Sequence, residues 1–335
     1  MFNVHIRQSE QTIQVEVGST ILETALAAGI EYPHGCRAGN CGGCKSRIHS
    51  GEVELSPYSE FALSQEEYDS GLILACRAVP WSDCEVSWHD QDDHAAHAVR
   101  RLACEVSGLE RLTSDIASVK VRLALGESFS HSSGQFVYVT FEGYPRREYS
   151  IASFESDEME FYIRRIEGGA VSSFVWDYLQ VGETVQIEGP YGNMYYRIDH
   201  AGPVLAIAGG SGLSAIQSVA CDAVTANPSR AVYLYHGVRD ESDIFRAELF
   251  FELAREYESF SYIPVLSNPS APSQVRTGLL SEVLAQDFRS DEEFMAYMAG
   301  PPPMVRTCTE ALCNIGVMRS NIHADPFLTA ADRAW

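Results

Sequence analysis

The chain has 335 residues, enough for two or three domains at about 100–200 residues each. Hydrophobic residues make up 45%, so sizeable cores can form, and no apolar run reaches the ~18 residues that a membrane-crossing helix needs. A formal net charge of −22 argues against nucleic acid or an anionic membrane surface as the partner.

Residues 2–7 and 11–17 alternate apolar and polar side chains, which predicts a β-hairpin with no secretory h-region. Thr20-Ile-Leu-Glu23 reads as a capping box opening a helix that runs to about Gly29. Next comes Cys36-Arg-Ala-Gly-Asn-Cys41-Gly-Gly-Cys44, and Cys76 follows 32 positions on. This C-x4-C-x2-C…C spacing is that of plant-type [2Fe-2S] centres, in which four thiolates hold two irons. Gly39, Gly42 and Gly43 would supply the positive φ values and close backbone approach that such a loop needs. Structural zinc would show two short C-x2-C pairs, a Rieske centre would need histidines, and a chain this long needs no disulfide framework. Cys84, Cys104, Cys221, Cys308 and Cys313 are then free thiols, and a reducing cytoplasm is expected.

Ser46–His49 and Glu52–Leu55 are expected to pair about Gly51, Leu72–Cys76 to carry the fourth ligand on a strand, and Cys84–Trp88 to close a β-grasp-like module. Residues 1–95 hold 15 acidic against 5 basic side chains, either solubility charge or a docking face for a basic partner. Polar residues 89–100 read as a linker, with His89, His94 and His97 solvated in it.

Short strands punctuated by Gly and Pro fill 101–200: Cys104–Gly108, Ile116–Leu123, Phe136–Phe141, Arg147–Ala152, Met159–Arg165 and Thr184–Glu188, with a helix over 170–179. They predict a small antiparallel barrel. From 201 the pattern becomes β–α alternation, which predicts a doubly wound parallel sheet. Its strands are Val204–Ala208, Val232–Gly237, Phe260–Leu266, Met295–Ala299 and Asn321–Ala324; its helices span 211–225, 242–257, 278–286 and 303–315. The expected domains are 1–92, a linker over 93–102, then 103–200 and 201–335.

Gly209-Gly210-Ser211-Gly212 follows a strand and opens a helix, a geometry suited to a pyrophosphate. Gly237-Val-Arg239-Asp240 and Gly300-Pro301-Pro302 end two further strands, where such sheets bind dinucleotides. Asp240 would repel a 2′-phosphate, so NADH is expected over NADPH. In the barrel, Arg147-Glu-Tyr149-Ser150 ends a strand and Gly168-Gly169-Ala-Val171-Ser172 opens a helix, either a phosphate-binding pair or plain turns.

Taken together, these motifs resemble the signature loops of the ferredoxin-NADP reductase superfamily over essentially the whole chain. With the ferredoxin module first, the order resembles the reductase components of bacterial aromatic-ring oxygenases, both the phenol hydroxylase and the ring-hydroxylating dioxygenase type. The resemblance implies FAD, with Arg147 on its phosphates, Tyr149 on the isoalloxazine and Ser150 near N5. It places Gly169 and Ser172 at the pyrophosphate, counts Gly168 and Val171 among the cofactor-binding residues, and counts Ser211 with Tyr149, Ser150 and Phe327 among the catalytic ones. It implies that Phe327 covers the flavin, although the residue also suits a core position; Trp335 is a weaker candidate for the same role. Ala299 stands where relatives have Cys, and Ala215 where many have Pro.

The implied function is relay of reducing equivalents from NADH through FAD and [2Fe-2S] to an oxygenase component in aromatic hydrocarbon catabolism. Two other readings stay open: a similar reductase serving a deoxysugar-nucleotide dehydrase, and a non-enzymatic electron carrier.

Overall fold

The structure, a computed structural model, describes residues 1–88, 97–153, 158–289 and 293–328. His89, His94, Trp335 and linker residues 93–96 lie outside the described residues. Two compact units are present, one built on the chain up to Trp88 and the other on His97–Pro190 with the described residues from Met194 onward.

In the first unit, β1 (Phe2–Ile6) and β2 (Gln11–Val15) pair antiparallel with Val4 opposite Ile13. The alternation puts Val4, Ile6, Ile13 and Val15 on one buried face. Helix α1 (Ile21–Ala27) covers that face with Ile21, Leu22 and Ala25. The Thr20 hydroxyl accepts the Glu23 N–H at 3.2 Å, so the capping box is made in that direction.

β3 (Lys45–Ser50) does not pair with β4 (Val53–Leu55), contrary to expectation. At Gly51, with φ +89°, the chain turns so tightly over the Asp83 carbonyl that a Cβ would stand 2.3 Å from it. β3 therefore stays in the main sheet while β4 leaves it. Helix α2 (Gln65–Asp69) went unpredicted because it buries nothing; Ser64 and Glu67 form its capping box. β5 (Leu72–Leu74) ends before Cys76, which lies in the following turn rather than on a strand. β6 (Ala78–Pro80) pairs with β4, and β7 (Cys84–Trp88) pairs with β1 and β3. The main sheet runs β2-β1-β7-β3-β5.

The second unit opens with β8 (Arg100–Arg111), β9 (Ile116–Leu123), β10 (Phe136–Phe141), β11 (Arg147–Ser150) and β12 (Glu158–Arg164). Helix α3 (Ala170–Asp177) and β13 (Thr184–Tyr191) complete the sheet β11-β10-β13-β8-β9-β12. Its ends meet where the Ala152 N–H donates to the Glu160 carbonyl at 2.8 Å, giving a nearly closed barrel. Val106, Val121, Val139, Phe161 and Ile187 are among the side chains that fill it.

In the same unit, β14 (Val204–Gly209), α4 (Leu213–Ala226), β15 (Val232–Val238), α5 (Ala247–Glu256) and β16 (Phe260–Leu266) follow. Then come β17 (Arg276–Thr277), α6 (Leu280–Asp287), β18 (Met295–Gly300), α7 (Pro302–Asn314) and β19 (Ile322–Pro326). The strands form one parallel sheet, β17-β16-β15-β14-β18-β19. β14 is buried at every position, as a central parallel strand covered on both faces must be. α5 starts later than expected because Asp240 and Asp243 cap a separate 3-10 turn over Glu241–Asp243. Among the described residues no helix is long and apolar enough to cross a membrane.

Candidate cofactor sites

The cluster loop is a turn-rich segment whose backbone points inward. The Cys36 N–H donates to Cys41 Sγ at 3.2 Å, those of Ala38 and Asn40 to Cys36 Sγ at 3.4 and 3.2 Å, and that of Cys76 to Cys44 Sγ at 3.4 Å. Such donors stabilise negative sulfur, as thiolate ligands require. Gly39 and Gly42 hold φ of +75° and +71°. Gly43 does not adopt positive φ; its value is close approach, because a Cβ would stand 3.2 Å from the Gly35 nitrogen. The Ala75 N–H bonds the Cys44 carbonyl at 3.0 Å, which brings the Cys76 turn to the loop. Among the described residues no group of three or more His, Cys, Asp or Glu is gathered for one metal ion. The four thiols stand instead as two hydrogen-bonded pairs, Cys36 with Cys41 and Cys44 with Cys76. Two irons shared among four thiolates suit that grouping, so the residues fit the cluster.

On β11, Arg147 is exposed, Tyr149 half-buried and Ser150 buried. Strand alternation sends Arg147 and Tyr149 to one face and Ser150 to the other. Burial raises the Tyr149 hydroxyl far above its ordinary value, so it stays protonated. Gly169 caps α3 without a side-chain partner, and the space where a Gly168 Cβ would stand is open. An exposed guanidinium and an open helix start suit the phosphates of FAD. Val171 is buried inside α3. The Ser172 hydroxyl accepts the Ile166 N–H at 3.1 Å and lies 3.2 Å from the Gly169 carbonyl, so it shapes the loop from within.

Three loops stand at the carboxyl edge of three adjacent strands. Gly209 is the register partner of Gly237, and Ala208 that of Ala299, just before Gly300. The turn Gly210–Gly212 is pressed against this edge, since a Cβ on Gly212 would lie 2.1 Å from the Ala299 carbonyl. A Cβ on Gly300, at φ +148°, would lie 3.0 Å from the Gly209 backbone. Ser211 is buried within the turn, Pro301 is the N-cap of α7 and Pro302 its first residue. Arg239 is exposed beyond β15. The Asp240 carboxylate is held low, first by a hydrogen bond from Ser270 and then by the Glu241 N–H at 2.7 Å. It is therefore ionised just beyond the carboxyl end of β15. This backbone-lined edge with a carboxylate beside it fits an NAD dinucleotide.

β19 brings further groups to this place. The Phe327 N–H bonds the Gly300 carbonyl at 2.9 Å, and its half-buried ring packs on the sheet's core. Asp325, beside Ala299 in register, lies with its Oδ2 3.4 Å from Ser150 Oγ. Sequence reasoning missed Asp325; its only signal is a charge within a short terminal strand. It also missed Arg164, whose guanidinium lies 2.6 Å from where a Gly210 Cβ would stand. His236 went unnoticed as well. It is fully buried in β15, 3.1 Å from the Tyr262 hydroxyl, and burial pushes its imidazole down to about 4.

Comparison with known proteins accounts for all three regions. The 2Fe-2S iron-sulfur cluster binding domain family matches residues 4–81, the oxidoreductase FAD-binding domain family 103–196 and the oxidoreductase NAD-binding domain family 206–310. The reductase component of phenol 2-monooxygenase from Pseudomonas sp. (strain CF600) is 35% identical over 99% of this chain and 96% of that protein. The reductase component of the naphthalene 1,2-dioxygenase/salicylate 5-hydroxylase systems of Ralstonia sp. is 33% identical over 94% of this chain and 95% of its own. The crystal structure of the Amycolatopsis cytochrome P450 reductase superposes with a TM-score of 0.79 at 33% identity, covering 98% of this chain and 100% of that one. The chain thus belongs to the family of flavin- and [2Fe-2S]-containing, NAD-linked reductases that serve as the reductase components of oxygenase systems.

Proposed function

We propose that this protein draws on NADH, holds FAD in its barrel and delivers single electrons through Cys36, Cys41, Cys44 and Cys76 to the oxygenase component of an aromatic-ring hydroxylating system, in the cytoplasm. Bound FAD supplies the exchange between a two-electron hydride and one-electron carriers. The observation that carries the reading is the meeting of the Gly209–Gly212, Gly237 and Gly300 loops with the Ser150 strand inside one unit.

The residues divide the work by position. Arg147 and the Gly168–Val171 helix start hold the flavin phosphates. Tyr149 gives a flat, protonated ring for the isoalloxazine, and Ser150 a hydroxyl whose orientation Asp325 sets. Ser172 keeps the phosphate loop in shape. Gly209, Gly210, Ser211, Gly212, Gly300, Pro301 and Pro302 seat the nicotinamide half of the dinucleotide; Gly237, Arg239 and Asp240 seat the adenosine half. Phe327, which packs on the sheet's core yet stays only half-buried, is assigned to the flavin face as well, where an aromatic ring excludes water and yields to nicotinamide. Domain limits at 1–92, 103–200 and 201–335 follow this division, except that Arg100, Arg101 and Leu102 pair within β8 and so belong to the barrel and not to a linker over 93–102.

Reconstitution of NADH-driven substrate turnover with candidate oxygenase components tests the function. Turnover with phenol-type or dioxygenase-type components supports it, and none with any aromatic-ring oxygenase rejects it. The nucleotide assignment is tested by kcat/KM for NADH against NADPH. We expect NADH to be preferred by about tenfold or more, the order of one unfavourable charge contact. Equal values reject the role given to Asp240.

A further inference from the structure

Helix α4 begins at the nucleotide turn and is buried nearly all round, yet three of its buried positions are polar. Ser214, Gln217 and Ser218 are exposed by 2%, 6% and 0%. Buried polar groups cost stability unless they are hydrogen-bonded, so an apolar side chain would serve packing better here. The three lie at i, i+3 and i+4 on one helix face, and all three reach the barrel.

The Ser214 hydroxyl donates to the Ser150 carbonyl at 2.6 Å. The Gln217 side-chain NH2 donates to the Ala152 carbonyl at 3.1 Å, while its Oε1 accepts the Tyr162 hydroxyl at 2.8 Å. Ser218 Oγ accepts the Gly134 N–H at 3.0 Å. Tyr162 is braced in turn by Arg246 Nε at 3.3 Å, whose guanidinium also meets Glu160 at 2.7 Å and Glu110 at 3.0 Å. Ser150 is expected to lie near the flavin, and Ala152 follows it just beyond the end of β11. The helix carrying the nucleotide turn is therefore pinned by directional bonds to the flavin strand itself.

We propose that the Ser214–Gln217–Ser218 stripe fixes the separation of the nicotinamide seat from the flavin seat, making Ser214 and Gln217 positioning residues for hydride transfer. The proposal rests on the functional reading above. Apolar layers permit small sliding at little cost, whereas buried hydrogen bonds lose their energy when length or angle changes. Hydride transfer needs reacting atoms about 3–3.5 Å apart, and a 1 Å misplacement costs about 10²-fold.

The test uses purified holoprotein carrying Gln217→Met, which removes both amide bonds at similar volume. Rapid mixing with NADH measures the rate of flavin bleaching at saturation and the half-saturating concentration. FAD affinity and the visible circular dichroism of the bound flavin are read separately. We expect the saturating rate to fall about tenfold or more. Half-saturation and FAD affinity should stay within about threefold, and the dichroism should change shape.

An unchanged rate per folded molecule, with only a lower melting temperature, overturns the proposal. So does a loss confined to NADH half-saturation or to FAD retention. Ser214→Ala and Ser214→Thr form a second pair, used also if Gln217→Met fails to fold. Alanine should reproduce the slow rate and threonine, which keeps the hydroxyl, should restore it; equal rates for the two overturn the proposal. If the wild-type flavin is not bleached by NADH at all, the functional reading fails instead.

Discussion

The cluster loop and the nucleotide edge solve the same problem, seating a redox group, in opposite ways. The first takes three of its four proposed ligands from nine consecutive residues and the fourth from one turn, whose Ala75 and Cys76 N–H groups both bond Cys44. The second, as proposed, draws on loops after β14, β15 and β18, the Ser150 strand and β19, so its parts are far apart in sequence. A local site depends on loop conformation, whereas a distributed one depends on how whole elements pack. Damage to the first should therefore stay confined, and damage to the second should spread.

The widest expected difference comes from Cys41→Ser. It should remove the cluster and lower coupled turnover by about two orders of magnitude or more, while NADH-driven ferricyanide reduction persists. Visible absorbance and the dye assay measure both sides. Loss of dye reduction with fold and FAD intact would erase the contrast between the two sites.

Next in size is Gly212→Ala. The added Cβ would lie 2.1 Å from the Ala299 carbonyl, part of the backbone, so β14 and β18 must separate at their carboxyl ends. NADH-dependent dye reduction should fall more than tenfold, with the [2Fe-2S] absorbance unaltered. A variant with normal NADH kinetics would show that the edge yields more readily than the register implies.

A third effect, on stability and not on turnover, concerns His236 beneath that edge. Burial pushes its imidazole from the ordinary value near 6.5 down to about 4, so the unfolded chain takes up the proton first as pH falls. Its stabilising effect is complete above about pH 6.5. It should decline by about 3 kcal/mol as pH drops toward 4. Urea unfolding across that window measures it, and His236→Phe should flatten the decline. An equally steep profile in the variant would assign the pH dependence elsewhere.

How far each site could be read from sequence follows the same division. The cysteine spacing announced the cluster because every ligand of the loop is in one line of text. The β–α alternation after Val204 announced the parallel sheet for the same reason, since periodicity is local. Asp325 and Gln217 carry no such signal. Each matters only because two distant elements meet at its side chain, and a carboxylate or an amide in isolation reads as an ordinary polar residue. The pairing of β3 with β4 failed on the other kind of long-range fact, the Asp83 carbonyl under Gly51.

The placement of β19 has a consequence for how the protein comes into being. Chains emerge from the ribosome amino end first, and domains generally fold as units in that order. The cluster module can fold and take up iron and sulfide once its own residues have emerged. On the roles proposed above, the flavin and nucleotide seats stay incomplete until Asp325 and Phe327, the last of the assigned residues to emerge, have joined the sheet beside β18. A chain cut short before β19 would be a stranded electron acceptor, able to hold a cluster but lacking the strand that completes its source of electrons.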